Sequence, residues 1–126
     1  MKKLFKTLIF ICLFTLLLCT TAFAAEARWK NVLSITPSIT SSNYSTSVQC
    51  VGETTKIKCT MVLYERGLFG SYTEISRSSD VTYDHIAYFS HSANITKGKT
   101  YKLTTTLEVT ANGTTETVTN EFEKKV

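Results

Sequence analysis

Tyr101-Lys102-Leu103-Thr104-Thr105-Thr106-Leu107-Glu108-Val109-Thr110-Ala111-Asn112-Gly113-Thr114-Thr115-Glu116-Thr117-Val118-Thr119-Asn120-Glu121-Phe122 is the stretch whose reading decides the fold. Tyr101, Leu103, Thr105, Leu107 and Val109 fall on one face of an extended chain, and Lys102, Thr104, Thr106, Glu108 and Thr110 on the other. That two-residue rhythm belongs to a strand with one buried face, because successive side chains of a pleated backbone point to opposite sides. Asn112-Gly113 interrupts it with residue types that tolerate the two positive φ angles of a type I′ turn, the strongest short hairpin signal. Folding about that turn sets Leu107 opposite Val118 and Leu103 opposite Phe122. The apolar faces coincide, so this segment reads as an antiparallel hairpin.

Working outward, Lys97-Gly98-Lys99-Thr100 leads a tyrosine into the hairpin's first strand. A turn and a glycine before such a tyrosine resemble the tyrosine corner of Greek-key sandwiches, which implies a buried hydroxyl on Tyr101. Farther upstream, Tyr44, Thr46, Val48 and Cys50 share one strand face, and Ile57, Cys59, Met61 and Leu63 share another. Read as a hairpin turning at Thr54-Thr55, these strands place Cys50 across from Cys59 on the core side. We therefore expect a disulfide between Cys50 and Cys59, in keeping with an even cysteine pair in an exported domain. Leu33-Ser34-Ile35, with Trp29, predicts a leading strand that ends near Pro37. Tyr72 to Arg77 predicts a strand pairing back on its predecessor across the loop Arg66-Gly67-Leu68-Phe69-Gly70. Asp80 to Ser92 alternates poorly, and one strand is expected near Ile86 to Ser90.

About seven short strands, with turn signals roughly every ten residues, predict an all-β fold. The expected architecture is an antiparallel β-sandwich of immunoglobulin or fibronectin type III character, with an open barrel as the alternative. Residues 25–126 are expected to form that single domain.

The N-terminal stretch is read as an address. Lys2, Lys3 and Lys6 precede an apolar run from Leu8 to Leu18, and Ala22-Phe23-Ala24 supplies the small-x-small pattern of a signal peptidase site. Residues 1–24 are thus expected to be a secretory signal peptide, helical in its apolar part and cleaved after Ala24, with the bond after Ala25 as second choice. An uncleaved anchor is the alternative reading. Cys19 follows the bulky Leu18, which argues against lipidation. The expected location is extracellular, with no stable membrane span once the leader is removed.

The 126-residue chain has 14 Lys+Arg against 10 Asp+Glu. The three leader lysines account for most of that excess, and the remainder is nearly balanced, with no electrostatic reason to bind nucleic acid or anionic lipid. His85 and His91 are the only histidines. Their six-residue separation suits no common metal-ligand spacing, so a unit of Asp84, His85 and His91, with Asp80 near, would form only by chance of folding. A calcium site from Asp80, Asp84 and Glu74 is equally a matter of chance. No nucleophile elbow, phosphate-cradling loop or calcium loop occurs. The chain is read as non-enzymatic, with no catalytic, cofactor-binding or metal residues and no cofactor. Asn43, Asn94 and Asn112 head glycosylation sequons, which a chain rich in Ser and Thr generates by accident.

Leu68 and Phe69 stand apart from the other apolar residues. At a glycine-bounded tip they have little core to enter, and they are the candidate partner-binding residues. The functional reading is a secreted binding module for an unidentified protein or glycan. The alternative is a small toxin or antimicrobial protein acting on cell envelopes.

Trp29-Lys30-Asn31, Thr54-Thr55-Lys56-Ile57, Gly98-Lys99-Thr100-Tyr101 and Asn112-Gly113 followed by Glu116-Thr117-Val118 carry a resemblance. The chain resembles an uncharacterised family of small secreted β-sandwich proteins from Gram-positive bacteria. The resemblance implies an exported immunoglobulin-like domain. It brings no activity and no site residues.

Overall fold

The computed structural model describes residues 29–126. The expected leader, its cleavage site and its helix lie outside the described residues. Asn31 to Val126 form one compact unit. It contains seven strands: β1 (Val32–Ile39), β2 (Asn43–Cys50), β3 (Thr54–Arg66), β4 (Tyr72–Thr82), β5 (Ile86–Ser92), β6 (Thr100–Ala111) and β7 (Thr114–Lys125). They build two antiparallel sheets, β1-β2-β5 and β4-β3-β6-β7, that face each other across the core. The fold is therefore the expected sandwich rather than a barrel. β4 lies beside β3, whereas in immunoglobulin constant domains the fourth strand joins the first, second and fifth.

The β6–β7 hairpin forms as the pattern requires, with Leu107 opposite Val118 and Leu103 opposite Phe122. Asn112 at φ 52° and Gly113 at φ 76° make its turn. Tyr101, Leu103, Leu107 and Val109 are fully buried; Phe122, on the edge strand β7, is half-buried.

The expected hairpin of β2 with β3 does not form. β2 pairs with β1 and β5, whereas β3 pairs with β4 and β6. The chain crosses from one sheet to the other at residues 51–53, held by Val51 N–H donating to the Asn31 carbonyl at 2.9 Å and Thr54 N–H to the Val51 carbonyl at 3.0 Å. Thr54 and Thr55 belong to β3 rather than to a turn. The alternation of both strands was correct; the pairing was not. Two strands on opposite walls of one core present matching apolar faces, as hairpin partners do, and alternation alone does not separate the cases. Consequently Cys50 and Cys59 are not cross-strand neighbours. They sit on different sheets as buried, free thiols, and the expected bridge is absent.

Two further boundaries differ. β1 runs through Pro37 to Ile39. It is an edge strand, where a missing N–H need not break a ladder. β4 continues five residues beyond Arg77. Its inward positions Ser76, Ser78 and Asp80 are polar, which hides the strand from a hydrophobic pattern while protecting the sheet edge.

Polar ties join the sheets. The Thr46 and Thr105 hydroxyls share a fully buried hydrogen bond of 2.9 Å between β2 and β6. The Tyr44 and Ser76 hydroxyls are 2.7 Å apart. Lys124 Nζ donates to the Ile39 carbonyl at 2.9 Å. Together these fix how one sheet sits on the other, and so where the loops gather.

Candidate functional site

Antiparallel topology sends alternate connections to opposite ends. The β1–β2, β3–β4 and β5–β6 connections and the end of β7 share one end of the sandwich. The candidate site is built there on the β3–β4 loop. Gly70 N–H donates to the Gly67 carbonyl at 3.0 Å, closing a β-turn with Leu68 and Phe69 as its two central residues. Gly67 N–H donates to the Ser71 carbonyl at 2.7 Å, which closes the loop base. Gly70 takes φ +82°, a conformation that strains residues with a Cβ. Central residues of a tight turn point away from both strands, and Leu68 and Phe69 are 101% and 100% exposed. The structure thus places both sequence-predicted residues at full exposure, on a loop held by its own backbone.

The neighbouring β5–β6 connection is pinned by Tyr101. Its buried ring directs the hydroxyl to accept from Thr96 N–H at 2.7 Å, which completes the expected tyrosine corner. The hydroxyl donates in turn to Glu65 Oε2 at 3.4 Å, and Lys99 Nζ reaches Glu65 Oε1 at 2.8 Å. That partner raises the Lys99 ammonium above its ordinary pKa and keeps it charged. Gly98 N–H donates to the Val126 carbonyl at 2.7 Å, tying the loop to the end of β7. A shallow groove between the loops is lined by Arg66, Leu68, Gly98 and Lys99. On the adjoining sheet face, Lys102 Nζ lies 4.6 Å from the Tyr72 ring centre and 5.1 Å from that of Tyr64. The Tyr72 hydroxyl donates to Glu123, which pushes the Tyr72 pKa up.

Sequence reasoning missed the cations around the tip: Arg66, Lys97, Lys99, Lys102, Lys124 and Lys125 all lie on strand ends or loops at this end. Near-zero net charge concealed them. The signal that reveals them is topological, since alternate loops of an antiparallel sandwich share an end.

The histidines do not converge. His85 sits in the β4–β5 turn with Nδ1 3.1 Å from Asp84 Oδ1. His91, six residues and about 20 Å farther along extended chain, has Nε2 2.5 Å from Asp80 Oδ2, bridging β5 to β4. The Tyr44 ring lies beside His91, with centroids 6.1 Å apart. No Ser or Cys side chain hydrogen-bonds either histidine among the described residues. Nor do these residues contain a group of three His, Cys, Asp or Glu side chains able to hold a metal ion. The residues this geometry unites make a structural clasp at the sheet edges.

The thiols are equally inert. Burial pushes the Cys59 pKa up to about 12, and the Asp80 carboxylate across the strand pair adds to the shift. Cys50 is raised by burial and then by Glu116; the Thr54 hydroxyl beside it offsets part of this. Nucleophilic chemistry requires the thiolate, and both environments disfavour it.

No family model matches the chain, and no curated protein matches it. Among solved structures it is similar to part of a Bacteroides uniformis beta-glucuronidase 2, a calcium binding mutant, at 13% identity and a TM-score of 0.37. That match covers 72% of this chain and 12% of the glucuronidase. Parabacteroides merdae beta-glucuronidase is similar at 12% identity and a TM-score of 0.36, over 75% of this chain and 13% of the enzyme. The chain thus spans a small fraction of these enzymes, and a likeness this slight carries no argument about activity.

Proposed function

We propose that the chain is a secreted, non-catalytic binding module whose contact surface is the Leu68–Phe69 tip. The observation that carries this reading is the full exposure of two large apolar side chains on an internally hydrogen-bonded loop. Exposed apolar groups are common singly; paired at a projecting tip, they gain nothing for the fold and suit contact with something outside it. The leader pattern of residues 2–24 supports secretion. The poverty of reactive groups supports a binding role over catalysis. A toxin acting on cell envelopes would use the same tip and is separated by dye leakage: a binding module leaves loaded vesicles intact.

The test is a photoreactive side chain at position 69, with a control at Tyr83, which is 77% exposed at the opposite end. Illumination on the cells that produce the protein is expected to yield adducts from position 69 and few from position 83. Equal yields, or none from position 69, would reject the reading.

A further inference from the structure

From the charges around the tip, we infer that the surface it meets is an anionic lipid bilayer, into whose headgroup region Leu68 and Phe69 dip. This rests on the binding role proposed above and names the partner. The domain is close to neutral as a whole, but its charges are sorted by end. Around the tip, the six cations outnumber the four carboxylates at the same depth, Glu65, Glu74, Glu121 and Glu123, of which Glu74 is paired with Arg77. The opposite end holds Glu53, Asp84, Glu108 and Glu116 with Lys56 and Lys58.

Several of the cations are committed locally. Lys99 pairs with Glu65, Lys102 lies against two tyrosine rings, and Lys124 donates to a carbonyl. Arg66, Lys97 and Lys125 have no ion-pair partner among the described residues. Arg66 folds against the tip itself, its guanidinium 3.4 Å from where a Cβ would stand on Gly70. An apolar point with Arg66 beside it and further cations on the β6 and β7 side complements a surface that is apolar within and negative at its face.

The shape favours lipid over protein. A stable protein interface buries roughly 800 Å² on each partner with close complementarity. Two convex side chains on a narrow turn fall far short of that alone. A fluid bilayer needs no matching shape, and Phe and Leu are among the residues that interfacial anchors use. Glycan recognition by stacking needs a ring laid flat beside polar groups, whereas Phe69 projects from a corner with glycine on one side and Leu68 on the other.

The test places an environment-sensitive fluorophore at F69C in the secreted, processed chain, from which the leader with Cys12 and Cys19 has been removed. Cys50 and Cys59 are buried and their thiolates disfavoured, so labelling is confined to position 69. A Y83C label at the opposite end is the control. Vesicles of equal parts phosphatidylglycerol and phosphatidylcholine are expected to shift emission to the blue at position 69 only, and pure phosphatidylcholine to leave it unchanged. About 1 M salt, which cuts the screening length to about 3 Å, should reverse the shift. Each cation near an anionic surface contributes about fivefold to affinity. R66Q/K97Q/K125Q, its fold checked by thermal unfolding, should therefore bind about a hundredfold more weakly. No shift at position 69, an equal shift at position 83, or an equal response to pure phosphatidylcholine would overturn the assignment. Adducts from position 69 on cells, without any response to anionic vesicles, would remove lipid as the partner and keep the binding role.

Discussion

The seam between the sheets and the β3–β4 tip are built on opposite rules. At the seam, polar groups turn inward: Thr46 meets Thr105, Tyr44 meets Ser76, and Asp80 meets His91. At the tip, apolar groups turn outward, with Leu68 and Phe69 in full contact with water. Buried polar groups are tolerated when they are paired, and here the pairing fixes the position of one sheet on the other. Exposed apolar groups at a tip fix nothing in the domain. If the tip is the contact proposed above, stability and contact are housed in separate residues, and substitutions should move one property without the other.

The largest effect belongs to the seam and is reached through pH. Cys59 has an ordinary pKa of 9.0, and burial with Asp80 raises it to about 12 in the folded chain. Below pH 9 both states keep the proton and the thiol favours neither. Between pH 9 and 12 the unfolded chain loses its proton while the folded chain holds it, so stability falls as pH rises, by up to about 4 kcal/mol at the upper limit. Urea midpoints for the parent chain and Cys59→Ala should diverge below pH 9 by a constant amount. Above it they should converge as only the parent loses this contribution.

Next in size is the Thr46–Thr105 pair. Thr46→Val strands the Thr105 hydroxyl in the core and should cost about 1–3 kcal/mol; Thr46→Val with Thr105→Val should recover most of that, because no orphan remains. A double variant as unstable as the sum of both singles would show that the hydroxyls contribute by more than satisfying each other. Tyr101→Phe should cost about 1–2 kcal/mol by removing the acceptor of Thr96 N–H. It should also speed amide exchange at Thr96. The smallest stability effect is expected at the tip, where Leu68→Ser with Phe69→Ser should move the unfolding free energy by less than about 0.5 kcal/mol.

Much of this was legible in the sequence. Alternation from Tyr101 to Val109 and the Asn112-Gly113 turn specify the last hairpin because both of its strands have one wet and one dry face. Glycines around Leu68-Phe69 identified the tip, and Gly98 before Tyr101 identified the corner. The partner of β2 was not legible. Tyr44, Thr46, Val48 and Cys50 match Ile57, Cys59, Met61 and Leu63 equally well across a ladder or across a core. β4 was partly hidden for a different reason: its inward Ser76, Ser78 and Asp80 serve edge protection and clasping rather than apolar burial. The cationic end escaped because net charge sums over the molecule what the fold sorts by end.

Co-sedimentation of the parent chain and L68S/F69S with phosphatidylglycerol-containing vesicles, at matched unfolding midpoints, tests most directly whether the tip is the contact. Losing two large apolar side chains from the lipid face should weaken binding by about a hundredfold. Equal sedimentation of the two proteins would contradict the account and move the contact to another part of the surface.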